Sequence, residues 1–109
     1  ARLREGATLS EVTREIARAR GLATRVLPMS NDPVRTVIRT ATGDLAFQEW
    51  LVRRRARPVV RAVRYRGARR ARPAPGVLEA IASSRLVIVA PSNPFVSIGP
   101  MLAVPGVRK

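Results

Sequence analysis

The sequence predicts an α/β fold, in which a small α+β lobe over residues 1–75 precedes one helix–strand–loop unit of a parallel sheet over residues 76–109. Segments 34–40 and 59–65 alternate apolar residues with arginine, as strands with one face in water do. Segment 86–90 is apolar at every position, which is typical of strands covered by helices on both faces. Because such a strand needs neighbours, we expect the chain to be a segment of one larger domain, or to pair with another copy.

Helices are predicted over residues 9–20, 47–54 and 76–83. Thr8 and Glu11 have the spacing of a capping box before the first helix, and Gly21 stands where a carboxyl-terminal cap belongs. Phe47, Trp50 and Leu51 recur at helical spacing, which predicts the second helix. Alternatively, residues 45–47 form the end of a hairpin.

Further strands and loops fill the remaining chain. Residues 23–29 are short and apolar-rich and are predicted as a strand. Residues 30–33 read as a loop, 41–44 as a turn, and 67–75 as a connector of arginine, alanine and proline.

The composition excludes several classes of chemistry. The 109 residues contain no His and no Cys, so disulfides, Cys or His nucleophiles and a Ser–His–Asp triad are absent. No apolar run approaches the ~20 residues of a membrane span, and the first residues lack the apolar core of a signal peptide. We therefore expect no membrane partner and a cytoplasmic location.

The charge is strongly positive, with 21 Lys+Arg against 7 Asp+Glu and a net charge of +14. All of these cations except Lys109 are arginine, which indicates the codon bias of a GC-rich genome on a solvated face. Selected polyanion binding is the alternative. No helix-turn-helix, RNP or zinc signature is present, so no specific nucleic acid is expected as a partner.

Two polar clusters are candidate binding sites. Ser92, Asn93, Ser97 and Gly99 follow the apolar strand at its carboxyl end, where ligands of open α/β sheets bind and where backbone N–H groups can hold phosphate oxygens. The alternative is an ordinary proline-rich turn.

The second cluster consists of Ser30, Asp32 and Arg35. Arg35 can take a phosphate bidentately, and Asp32 can accept from a hydroxyl or, as a weak candidate, bind a metal. The alternative is a simple turn with a solvated arginine. The aromatic pair Phe47 and Trp50 can stack on a planar ring, although core packing is the simpler interpretation.

Three blocks of sequence resemble the CofD family of transferases. They are residues 27–36 (LPMSNDPVRT), 47–54 (FQEWLVRR) and 90–106 (APSNPFVSIGPMLAVPG). The family includes 2-phospho-L-lactate transferase and an actinobacterial relative with a phosphoenolpyruvate-derived donor.

The resemblance implies a Rossmann-like fold and a step in making coenzyme F-420. The family moves a phospholactyl or enolpyruvyl-phosphate group from a guanosine diphosphate-linked donor to the deazaflavin 7,8-didemethyl-8-hydroxy-5-deazariboflavin, with Mg²⁺ assisting. The family's Gly-rich loop and metal-associated Asp residues have no counterpart here, and Asn31 stands where relatives commonly have a second Asp. This implies a middle segment of the enzyme, inactive alone, with magnesium ligands upstream and no catalytic residue identified. The alternatives are a regulatory nucleotide-sugar-binding relative and a basic nucleic-acid-binding module.

Overall fold

The computed structural model describes residues 1–108 and has a mixed α/β architecture. Its α-helices and strands are helix α1 (Leu9–Ala19), strands β1 (Arg35–Thr40), β2 (Gly43–Ala46) and β3 (Ala62–Arg66), and helices α2 (Val77–Ala82) and α3 (Gly99–Ala103). A 3₁₀ turn spans Arg2–Glu5, and single π-helical turns span Glu49–Arg53 and Pro94–Ile98. No described helix has the length and apolarity needed to cross a bilayer.

Helix α1 begins at the predicted capping box. The Thr8 hydroxyl accepts from the backbone N–H of Glu11 at 3.2 Å, and the Glu11 carboxylate accepts from the Thr8 N–H at 2.7 Å. The Thr8 N–H that donates to this carboxylate lowers the pKa of Glu11. Gly21, with φ of 68°, follows the helix in the left-handed conformation that ends many helices.

The three strands form one antiparallel sheet in the order β2-β1-β3. Ile38 at the centre of β1 lies opposite Leu45 on one side and Val63 on the other. At the tight turn between β1 and β2, the Thr40 hydroxyl donates to the Gly43 carbonyl at 2.8 Å. The predicted strand 34–40 and the hairpin are confirmed as β1 and β2, and the predicted turn 41–44 is confined to residues 41 and 42 because β2 begins at Gly43. Strand β3 begins at Ala62 rather than residue 59.

The described core is small. Ile38 and Val104 are 2% and 1% exposed, and three alanines of the connector, Ala68, Ala71 and Ala74, are buried. The Cα radius of gyration is 15.8 Å, against about 13 Å for a compact domain of this length. Many apolar side chains therefore remain in water, among them Ile16 on the apolar face of α1.

The predicted strand 23–29 is wrong, because only one bridge forms, between Ser30 and Pro73, supported by a bond from the Ala74 N–H to the Met29 carbonyl. Continuing this antiparallel register would set Pro28 opposite Pro75. Neither proline has an N–H to donate, so the ladder stops.

The predicted buried strand 86–90 is also wrong for the chain by itself. These residues form no strand, and Ile88 is 80% exposed. The described strands pair only with one another, so segment 86–90 has no neighbour to donate to or accept from. The described part of the chain contains no parallel sheet and no Rossmann-like unit.

The helices predicted over 47–54 and 76–83 are confirmed as the shorter elements Glu49–Arg53 and α2. The proposed division at residues 75 and 76 stays a prediction.

Candidate functional site

Asn93 fixes the shape of the proline-rich loop. Its side-chain Oδ1 accepts from the backbone N–H groups of Phe95 at 2.9 Å and Val96 at 3.1 Å, so it caps the turn Pro94–Ile98. Because the side-chain oxygen Oδ1 of Asn93 holds the loop, the side-chain N–H₂ group remains available to donate to a ligand.

Tyr65 of β3 fastens the same loop to the sheet. Its hydroxyl donates to the Phe95 carbonyl at 2.6 Å. Gly99 lies against that hydroxyl, since an added Cβ would overlap it and would come within 2.8 Å of the Pro94 carbonyl oxygen. Gly99 therefore serves close packing on Tyr65, and no sequence motif pointed to this contact.

An open cleft of about 450 Å³, called here the aromatic cleft, lies between the sheet and the loop. Its lining residues include the aromatic residues Trp50, Tyr65 and Phe95, together with Asn93. The Trp50 N–H donates to the Pro58 carbonyl at 2.9 Å, and the Phe47 ring centroid lies 6.1 Å from that of Trp50. Trp50 is thus both packed and cleft-facing, while Phe47 supports it from outside the lining.

The Ser30–Asp32 loop is tied to the arginine-rich connector. The buried Ser30 hydroxyl donates to the Arg72 carbonyl at 2.5 Å and accepts from the Asp32 N–H at 3.0 Å. The Asp32 Oδ2 accepts from the Arg72 N–H at 2.8 Å. Asn31 turns the other way, and its Oδ1 accepts from the Ser10 N–H and hydroxyl at the start of α1. Ser30 and Asp32 are therefore committed to holding main chain, with Asp32 Oδ1 left for a ligand.

Two of the candidate serines and the candidate arginine do not hold main chain in this way. Ser92, Ser97 and Arg35 are exposed, and their side chains make no hydrogen bond within residues 1–108. Arg35 begins β1 directly opposite Arg66 of β3.

The two candidate clusters remain separate. Asn93 lines the aromatic cleft, whereas Asp32 lines a different cleft beside Gly67 and Arg70, and no hydrogen bond across the described residues joins the clusters. Tyr65, which was not among the candidates, is the residue that links the Asn93 loop to the sheet. Its sequence signal was weak, because Tyr65 is a single aromatic residue among arginines.

The described residues do not build a magnesium site. No three acidic, His or Cys side chains converge within residues 1–108, and the Asp32 carboxylate already accepts from Arg72. A lone half-committed carboxylate does not match the oxygen-rich shell that Mg²⁺ requires.

Comparison with known proteins identifies a single family. The sequence model described as "2-phospho-L-lactate transferase CofD" matches residues 1–109. The chain is 46% identical over 107 residues to a 2-phospho-L-lactate transferase of Haloarcula marismortui, covering 98% of the chain and 32% of that relative. The corresponding enzyme of Methanosarcina mazei is 41% identical over 107 residues, with 98% and 35% covered. That of Methanothermobacter thermautotrophicus is 52% identical over 91 residues, with 84% and 29% covered. The chain thus spans about one third of the length of these curated relatives.

Proposed function

The chain belongs to the CofD family, and from that premise we propose that it forms part of a transferase of coenzyme F-420 biosynthesis. The group moved is phospholactyl, or enolpyruvyl-phosphate. The donor is linked to guanosine diphosphate, and the acceptor is 7,8-didemethyl-8-hydroxy-5-deazariboflavin. The observation that carries the proposal is the family match over all 109 residues. The curated relatives above are named as transferases, which favours the enzyme over a regulatory nucleotide-sugar-binding protein.

The aromatic cleft supports a planar acceptor. A deazaflavin is a fused aromatic ring system, and rings of this kind stack on aromatic side chains. Trp50, Tyr65 and Phe95 offer such surfaces around a volume of about 450 Å³, within the range of small-molecule sites. We assign this cleft to the acceptor ring.

The residues of this chain act by positioning and charge. Transfer of a substituted phosphate needs alignment and charge neutralisation more than covalent help, so the absence of His and Cys is no obstacle. We propose that the Asn93 amide N–H₂ donates to a phosphate oxygen beside the acceptor. Arg35, whose side chain has no hydrogen bond within residues 1–108, would neutralise charge, and Asp32 Oδ1 would accept from a substrate hydroxyl. No step is assigned to Mg²⁺, since the described residues do not fit it.

The chain by itself is proposed to be inactive, because it spans about a third of its curated relatives and its apolar segment 86–90 is in water. We propose that this segment pairs with a strand from the rest of the domain or from another copy. A chimera in which these residues replace the matching third of a curated relative tests the function. The chimera is expected to release GMP and form the phospholactyl deazaflavin, detected by mass spectrometry, whereas the isolated chain forms none.

Substitutions of Asn93 separate its two roles. Asn93→Asp keeps an oxygen that caps the turn but loses the N–H₂ donor, whereas Asn93→Ala loses both. We expect both variants of the chimera to lose about 10–150-fold in kcat/KM, the worth of a hydrogen bond to a charged group, while only Asn93→Ala melts at a lower temperature. Gln48→Glu adds the same charge on an exposed side chain outside the cleft and serves as the control. Unchanged kinetics for Asn93→Asp would remove Asn93 from the binding site.

A further inference from the structure

An open cleft beside the end of β3 is lined by arginine. It has a volume of about 870 Å³ and lies between the end of β3, the turn that follows it and Ala103 of α3. Its cations are Arg64, Arg66, Arg69 and Arg70. We call it the arginine cleft.

These four guanidinium groups have no acidic partner among residues 1–108. The ion pairs of the described structure involve Arg2, Arg39 and Arg72 instead. The sheet register adds to the uncompensated charge, because Arg35 lies directly opposite Arg66. Like charges facing each other across a strand pair destabilise the sheet, so an anion bound here relieves a repulsion that is built into the fold.

The arginines stand on a fixed turn. Gly67 has φ of 89°, and an added Cβ would overlap the Pro33 carbonyl oxygen, so the turn lies tightly against the Ser30–Pro33 loop. Ala68 and Ala71 are buried beneath it. The hydrogen bonds of Ser30 and Asp32 to Arg72 then hold its far end. A turn anchored in this way fixes the main chain that carries Arg69 and Arg70, so an anion bound there has to order their side chains but not the backbone.

The arginine cleft adjoins the aromatic cleft, and Tyr65 lines both. A ligand that places a ring in one and phosphates in the other would span this boundary. Guanidinium forks match phosphate oxygens bidentately, and four of them suit a group bearing two phosphates. The four cations line one open cleft with a single aromatic neighbour, Tyr65, whereas a site for a nucleic acid strand combines a basic groove with several aromatic side chains on which bases stack.

We propose that the arginine cleft binds a diphosphate group, with Arg66, Arg69 and Arg70 as its principal ligands. The identification of this group with the diphosphate of the donor rests on the proposed function. Binding itself does not, since it requires no transfer.

The proposal is tested by calorimetric titration with sodium pyrophosphate at about 150 mM salt. The sample is the native polypeptide that carries these residues. Saturable one-to-one binding is expected, at least about tenfold tighter than that of orthophosphate. Arg69→Gln and Arg70→Gln should each weaken it about tenfold, the lower value for a hydrogen bond to a charged group, because the cleft is open to water. Arg53→Gln and Arg57→Gln are matched controls, since these arginines also lack an acidic partner in residues 1–108 but lie outside the cleft. They should change the affinity by less than twofold.

Three results would overturn the proposal: no saturable binding, equal losses in the control variants, or orthophosphate binding as tightly as pyrophosphate. A 20-base-pair DNA duplex that binds more tightly than pyrophosphate at about 200 mM salt would assign the arginines to nucleic acid instead. If pyrophosphate binds with the expected pattern but the chimera transfers nothing, the proposed function fails while the diphosphate site stands.

Discussion

The contact between Gly99 and Tyr65 predicts a coupled pair of substitutions. Gly99 has φ of −55° and ψ of −47°, so alanine fits its backbone, and in an open helix the change from glycine would stabilise by roughly 0.5–1 kcal/mol. Here the added methyl group overlaps the Tyr65 hydroxyl. Overpacking of this kind costs about 1–3 kcal/mol, so we expect Gly99→Ala to destabilise the protein.

Removing the hydroxyl changes that outcome. Tyr65→Phe loses the 2.6 Å bond to the Phe95 carbonyl and is expected to cost about 0.5–1.5 kcal/mol by itself. With the hydroxyl gone, the most severe overlap of the methyl group of Gly99→Ala is removed, while the ring carbon Cζ and the Pro94 carbonyl oxygen, each 2.8 Å from the added Cβ, must still shift. The double variant should therefore be more stable than the sum of the single changes predicts, by about 1 kcal/mol or more.

Urea unfolding measures all four proteins by the fluorescence of Trp50, the single tryptophan, which lines the cleft beside Tyr65. Ser97→Ala on the neighbouring turn is the control, and it should stay within about 0.5 kcal/mol because its side chain is exposed. Costs that add to within about 0.3 kcal/mol, or a Gly99→Ala variant more stable than the parent, would refute the packing argument.

Further variants probe other parts of the fold. Asp32→Ala should lower the free energy of unfolding by about 1 kcal/mol, because the Arg72 N–H loses its acceptor, while Asp32→Asn retains an acceptor and should keep most of that stability in the same urea assay. The pKa of Glu11 is lower folded than unfolded, so its contribution is present above the ordinary Glu pKa of about 4.3 and is lost as pH falls through the folded value. Glu11→Gln should therefore flatten the acid limb of a melting-temperature profile, and an unaltered limb would contradict the capping box. Ile88→Lys should leave the isolated chain within about 0.5 kcal/mol, since the side chain is 80% exposed. It should prevent folding of the chimera, as followed by circular dichroism, if segment 86–90 becomes a buried strand there.

Elements with local signals were predictable from sequence. The Thr8 and Glu11 spacing located α1, and the alternation of residues 34–40 located β1, because capping and half-exposed strands depend on neighbours close in the chain. Segment 86–90 was not predictable in the same way. Its apolar pattern indicates a buried strand, but burial needs pairing partners that the described strands do not supply.

The candidate site residues show the same contrast between signals local in the chain and contacts between distant residues. Asn93 was identified because polar residues between prolines form a recognisable loop. It lines the aromatic cleft, and its binding role stays a prediction. Tyr65 was missed because its partner, the Phe95 carbonyl, lies 30 residues further along the chain. The bonds of Ser30 and Asp32 to Arg72 span about 40 residues, and no spacing rule reaches so far.

The connector after β3 has the appearance of a low-complexity segment, since alanine, arginine, proline and glycine are its only residue types. The order of its residues is nevertheless constrained by the structure. The buried alanines recur every third residue, at Ala68, Ala71 and Ala74, and the arginines occupy intervening exposed positions. Deleting one residue before Ala68 would keep the composition nearly unchanged but would turn arginine inward, where burial of an unpaired charge is prohibitive. Related sequences should therefore keep the three-residue spacing of the buried alanines more faithfully than the overall composition of the segment. A search for low-complexity composition alone would misclassify this structured turn as a linker.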